Sequence, residues 1–197
     1  QIINIESGDF RKPPQTDLDI LFSNTTTDPG SYKFEKMISG GYFGGLTLFV
    51  LKAAAAEGVF SDQTALEISK IAELSSEEAN SYVARQVAKG NILLESIREC
   101  NDADSCRHII EVLIDRAAKL VAGSLSAVIL KCGKGKSPEK PILITVEGTT
   151  FYRLHNFRSL FEIYLNEYLT GDRKRYAEFT EVAHSSLIGA ALAALID

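Results

Sequence analysis

Cysteine is scarce in this 197-residue chain, as are proline, methionine and long apolar runs. Three cysteines, Cys100, Cys106 and Cys132, are odd in number and make no disulfide framework. A reducing cytoplasm is the setting they fit. No apolar run is long enough to span a bilayer and no secretory signal opens the chain, so no membrane partner is expected. Neither sign of charge dominates: 21 basic against 26 acidic residues, interspersed, give a net charge of −5. That excludes a broad nucleic-acid footprint. Internal repeats and low-complexity tracts are absent. So is an initiator methionine: Gln1 leads directly into the apolar run "QIINIES", whereas domains usually begin with something frayed and polar. The expectation is a segment cut from a longer protein.

What is present describes a globular body. The chain is 45% hydrophobic and 24% charged, and its length suffices for one domain with a real core. Residues 1–5 read as a strand, and "SGDFRKPPQ" as a loop in which Pro13 and Pro14 exclude regular structure. "TDLDILFSN" suits a short helix capped by Thr16 or Asp17. A turn over "TTTDPGS" precedes a long apolar helix from about Ser31 to Glu57, closed by Gly58. Four glycines (Gly40, Gly41, Gly44, Gly45) interrupt that helix, each costing about 1 kcal/mol relative to alanine in a helix interior. Residues 61–75 form a capped helix, Ser75 and Glu78 open another with a capping box, and 91–100 are helical.

A second long helix covers "DADSCRHIIEVLIDRAAKLVAGSLSAVILKC". One face of its first half carries Ile110, Leu113, Ile114, Ala117 and Val121; its second half is apolar nearly all round and should be buried. Ala122, Gly123, Ser124 and Ser126 leave room there for another backbone. "PILITVEG" reads as a buried strand, "TTFYRL" as a second strand, 156–169 as an amphipathic helix, "YAEFTEVA" as an alternating strand and "SSLIGAALAAL" as a small-residue helix. The whole is α/β and helix-rich, with a mixed sheet covered on at least one face.

Several constellations have plain explanations. "GKGKS" lacks the phosphate-loop glycine five residues before Gly135, where Leu130 stands, and follows a helix rather than a strand; it is an exposed turn. Cys100, Cys106 and His108, with Asp102 and Asp104, are spaced too widely for a structural metal site, and Asp102 or Asp104 instead caps the helix that starts there. His184-Ser185-Ser186 places adjacent side chains that point apart, unsuited to a nucleophile and its base. "VEGTT" is more suggestive, because a strand ending in glycine and two hydroxyls can aim backbone N–H groups at a phosphate. Glu6 and Glu35 are suited to bind a polyol, since an ionised carboxylate accepts from two neighbouring hydroxyls. Residue physics alone favours reading them as a strand-end acid and a dipole-stabilised helix-start acid.

Taken together, several stretches resemble one family, the hexokinases, ATP-dependent sugar 6-kinases of the actin-like ATPase superfamily. "NIESGDF" is similar to the family's "NTEWGAF", and "LDILFSNTTTDPGSYKFEKMISGGYFGGL" to its "D…S.NPG…EK.I.G.Y.GEL" block. "TVEGTTFYRLHNF" resembles "VDGS.Y..HP.F", and "SSLIGAALAAL" the final "SG.GAAL" helix. The matches run nearly end to end, in order, along the C-terminal half of a hexokinase. The block around residues 28–46 is the most specific.

The resemblance implies a ribonuclease H-like fold, with residues 1–197 forming the large domain, truncated at its N-terminus. Glu6 and Glu35 match the two acids that hydrogen-bond glucose. Gly40 and Gly41 match helix positions lying against the nucleotide, Gly148 and Thr149 the phosphate-contacting turn, and Ser186 and Gly189 the helix bordering the adenosine pocket. The glycine-marked helix is then expected to lie close to a ligand and a neighbouring strand. The cofactors implied are ATP and Mg²⁺, and the partners are glucose or another hexose and the remainder of the chain, an N-terminal small domain. No residue matches the general-base aspartate and no metal ligand is expected, so the piece alone should be inactive. The sequence departs from the family at Tyr32 (glutamine), Gly41 (lysine), Gly45 (acid), Leu187 (glycine) and the additional Thr150. Those departures keep open a second reading, a non-catalytic hexokinase-like sugar sensor.

Overall fold

The computed structural model describes residues 5–86, 90–181 and 185–195, and only the backbone of Ser185. The expected strand over 1–5 falls outside these residues except for Ile5, which is irregular, and His184 falls outside them too. The chain forms two compact units, Gln1–Ala117 and Ala118–Asp197.

The first unit is helical. A 3-10 turn, Ser7–Asp9, precedes α1 (Asp17–Asn24), α2 (Lys33–Ile38), α3 (Gly40–Ala56), α4 (Asp62–Lys70), α5 (Ser76–Val83), α6 (Ile92–Ser96) and the start of α7 (Cys100–Cys132). Local chemistry sets the helix starts. Thr16 and Asp19 form a reciprocal capping box at α1, Ser75 and Glu78 another at α5, and the Ser61 hydroxyl caps α4. Gly58, with φ of 75°, lies just past α3 as expected.

The expected helix from Ser31 to Glu57 is instead two. Ser39 is extended (φ −82°, ψ 146°), ending α2 and starting α3. The apolar pattern runs through the break, so periodicity alone does not reveal it. Gly44 has the clearest role among the four glycines: a Cβ there would lie 2.3 Å from the Leu74 carbonyl oxygen and 2.6 Å from the Ser76 nitrogen. The backbone that α3 approaches is therefore the turn into α5, not a strand. The Ser76 hydroxyl fastens this contact, accepting from the Gly44 N–H at 2.9 Å and donating to the Gly40 carbonyl.

Asp102 does not cap α7, which begins two residues earlier. It is buried and accepts from the Ser61 N–H (3.1 Å) and hydroxyl (2.6 Å). Burial works against its charge, but the hydrogen bonds from Ser61 and Thr64 prevail and hold its carboxyl below the usual aspartate range. Asp19 is also buried, paired with both terminal nitrogens of Arg116 at 2.8 and 2.9 Å.

The second unit contains the rest of α7, β1 (Ile142–Thr145), α8 (Thr149–Arg153), α9 (Phe157–Tyr168), a 3-10 turn at Gly171–Arg173, β2 (Ala177–Thr180) and α10 (Ser185–Ala193). The strands pair in parallel, with Ile142 opposite Ala177 and Ile144 opposite Phe179. Those four residues share the half-buried face; Leu143, Thr145, Glu178 and Thr180 share the exposed one. Leu143 is 71% exposed, so β1 is not buried on both faces as its composition predicts. "TTFYRL" is also not a strand but the one-turn helix α8. The Phe151 ring packs edge-on to Phe157 and Phe161 and beside Phe179, and that cluster outweighs the strand preference of Thr and Phe. In the second half of α7, Ala122, Ser126 and Ile129 are buried while Ala127 and Lys131 are exposed, so burial is one-sided. An aromatic ring meets its small residues, with Tyr168 3.6 Å from where a Gly123 Cβ would stand. The "GKGKS" segment is a turn, pinned by Gly135, whose carbonyl accepts from the Tyr176 N–H at 2.7 Å. No helix among the described residues is long and apolar enough to cross a membrane.

Candidate functional site

The first unit brings the two expected sugar-binding acids onto touching elements. Glu35 lies in the first turn of α2 and is partly exposed. A Cβ built on Gly8 would stand 3.2 Å from Glu35 Oε2 and 3.5 Å from its Cβ, so the carboxylate lies directly against the Ser7–Asp9 turn. Glu6 immediately precedes that turn, exposed and in the left-handed region at φ 47°. Left-handed backbone at a non-glycine residue is strained and held in place only by its surroundings. Phe10, just after the turn, packs edge-on against Phe34 at 6.2 Å, fixing the turn to α2. Tyr32, at the N-terminus of α2, is also left-handed (φ 49°) and exposed. Two carboxylates on adjoining segments of one surface can each accept from a pair of neighbouring hydroxyls.

Gly40 and Gly41 open α3 in the same unit. Gly41 is exposed, with only the Ser39 hydroxyl at 3.8 Å from a built Cβ. Gly148, Thr149, Ser186 and Gly189 belong to the second unit. Gly148, with φ of 119°, precedes α8 and has nothing within 4 Å of a built Cβ. Gly148 and Thr149 are both exposed. Ser186 is committed elsewhere, since its N–H donates to Glu147 Oε2 at 3.0 Å and its hydroxyl donates to the same oxygen. Gly189 leaves open space on a helix whose Leu187, Ile188 and Leu192 are exposed. Glu147 places a carboxylate next to the Gly148–Thr149 turn. Among the described residues no three acidic, histidine or cysteine side chains cluster, and Mg²⁺ held through substrate phosphates needs only one or two carboxylates. Cys106 is buried beside Tyr82, and burial pushes its thiol up to about 12, which disfavours the thiolate. A shallow cavity of about 490 Å³ at the "GKGKS" turn, lined by Lys134, Lys136, Lys140 and Ile142 among others, includes none of the expected site residues.

Sequence reasoning missed two residues beside the expected site: Gly8, which leaves room for Glu35, and Glu147, which holds Ser186. Gly8 carries no signal in the sequence, because no local pattern places a carboxylate against it. Glu147 is an ordinary acid whose role emerges only from its partner, Ser186.

Comparison with known proteins adds family. A family model described as hexokinase matches residues 1–196. The chain is 27% identical over 209 residues to hexokinase-2 of Solanum tuberosum and 29% identical over 210 residues to hexokinase-1 of Spinacia oleracea. In each case 98% of this chain aligns with 42% of the relative, so it spans under half of their length. A Schistosoma mansoni hexokinase complexed with glucose shares the fold, with a TM-score of 0.66 and 18% identity over 85% of this chain and 38% of that one.

Proposed function

The chain belongs to the hexokinase family, and on that premise we propose that the intact protein transfers the γ-phosphoryl of ATP, as its Mg²⁺ complex, to the 6-hydroxyl of a hexose, glucose first, in the cytoplasm. This segment is the C-terminal part of the large domain. It supplies Glu6 and Glu35 to the sugar, Gly40, Gly41 and the Gly148–Thr149 turn to the nucleotide, and Ser186 and Gly189 to the adenosine side. The general base and the wall that closes over the sugar come from the remainder of the chain, an N-terminal small domain. Phosphoryl transfer depends on positioning and charge stabilisation within a closed cleft, so this segment alone is inactive.

The observation that carries the reading is the seating of Glu35 against the turn that Glu6 precedes. Hydrogen bonds to a charged group contribute about 1.5–3 kcal/mol each, enough for two acids to orient one sugar. The test is glucose binding and ATP-dependent phosphorylation by the full-length protein, with Glu35→Gln and Glu6→Gln. Each variant is expected to lose about 10- to 150-fold in kcat/KM. Unchanged affinity in both variants overturns the sugar assignment. One observation favours the second reading, a sugar sensor without turnover: Ser186 commits both donors to Glu147. Glucose binding with no phosphorylation of any hexose selects that reading.

A further inference from the structure

Helix α2 is only six residues long. A helix so short has no stability of its own, because nucleation outweighs the few hydrogen bonds it closes. The direction of Glu35 is therefore set by whatever anchors α2 from outside. Phe34 and Met37, 4% and 3% exposed, supply the apolar anchor. The third buried residue is Lys36, 3% exposed. A lysine is almost never so buried without a counter-ion, yet no carboxylate pairs with it among the described residues. Asp19, a buried acid of α1, is held by Arg116 and Thr16. The Lys36 ammonium donates to the Ser23 hydroxyl at 3.2 Å and to the Asp28 carbonyl, and it lies 6.0 Å from the centre of the Tyr42 ring. Ser23 also accepts from the Gly30 N–H at 3.1 Å. One cation and one hydroxyl therefore hold both ends of the exposed 24–31 connection, which leads from α1 into the strained Tyr32 and the turn bearing Glu35.

We propose that Lys36 is a positioning residue for Glu35: its ammonium latches the 24–31 connection to α2 and so fixes the sugar-facing carboxylate. A neutral side chain of similar length would fill the space without the desolvation cost of a charge. What the ammonium adds is direction, three donors that must find oxygens at set places. The inference rests on Glu35 being a sugar ligand.

The test uses the full-length protein with Lys36→Met, Ser23→Ala and the double variant, plus Glu35→Gln as reference. Glucose and ATP affinities are measured by calorimetry well below each melting midpoint. Misplacement of one binding group is expected to weaken glucose binding about tenfold in Lys36→Met and about threefold in Ser23→Ala, with ATP affinity unchanged. The double variant should be no weaker than Lys36→Met, because both act through one latch. Should Lys36→Met not fold, Ser23→Ala decides. Equal loss of both ligands, or unchanged glucose affinity, overturns the latch. If Glu35→Gln also leaves glucose binding intact, it is the sugar assignment itself that fails.

Discussion

The surface around Glu35 and the turn around Gly148 are held in opposite ways. In the first unit, which carries Glu35, buried polar side chains are each held by a side-chain partner: Asp19 by Arg116, Lys36 by Ser23, Asp102 by Ser61. Around Gly148 the polar contacts are on the surface, and an exposed bond from Glu147 to Ser186 joins the turn to α10. The contrast matches what the proposed chemistry would need at each place. A carboxylate that orients hydroxyls must be aimed through its side-chain torsions, which requires anchors that water cannot replace. A backbone anion site needs only a fixed φ and ψ, and Gly148 supplies a left-handed φ without strain from a side chain. Buried polar anchors specify geometry, but breaking one leaves an unpaired group out of water, whereas exposed pairs are screened and contribute little.

The harshest test of this contrast is Arg116→Met. It strands the Asp19 carboxylate, 3% exposed, with only its Thr16 donors. Removing one partner of a buried pair should lower stability by about 3 kcal/mol, read as a lower urea midpoint with unchanged slope. A loss within experimental scatter would mean the first unit is not organised by its buried ions.

Gly44→Ala comes next. The new methyl would meet the Leu74 carbonyl and the Ser75 and Ser76 backbone at 2.3 to 2.6 Å. Overpacking against backbone should cost about 2 kcal/mol even after the gain in helix propensity. Gly41→Ala, three residues earlier with only the Ser39 hydroxyl at 3.8 Å, should instead stabilise by about 0.5 kcal/mol. Opposite signs from one substitution on one helix would separate a glycine needed for packing from one that packing does not require. Like signs would refute that division.

Legibility in the sequence follows the same line between local and distant causes. The Thr16 cap of α1, the capping box of α5, the glycine past α3 and the apolar face of α9 are local rules, and they read correctly; the return bond that Asp19 accepts at α1 does not. The break at Ser39 does not, because Met37, Ile38 and Leu46 keep helical spacing across it. α8 misleads because its strand-like residues are overruled by Phe157, Phe161 and Phe179, from elsewhere in the chain. At the site, resemblance supplied Glu6 and Glu35, but no pattern shows Gly8 lying against a carboxylate. Nothing in the sequence singles out Lys36; only the positions of Ser23 and Asp28 make it an anchor.

Glu147→Gln should have the smallest effect, and it probes the contrast from the exposed side. The carboxylate accepts two donors from Ser186 at the N-terminal end of α10, where negative charge is favourable. Water and salt weaken that attraction, and glutamine keeps one oxygen able to accept. The urea midpoint should therefore not move, while amide exchange at Ser186 should quicken about threefold as the helix end frays. The same carboxylate adjoins the Gly148 turn, where a phosphate would meet like charge. Its neutralisation should tighten ATP binding by the full-length protein about twofold, an advantage that fades above a few tenths molar salt as screening removes the repulsion. A fall in stability as large as that of Arg116→Met would show that the second unit depends on its polar contacts as much as the first, and the contrast drawn between them would not stand.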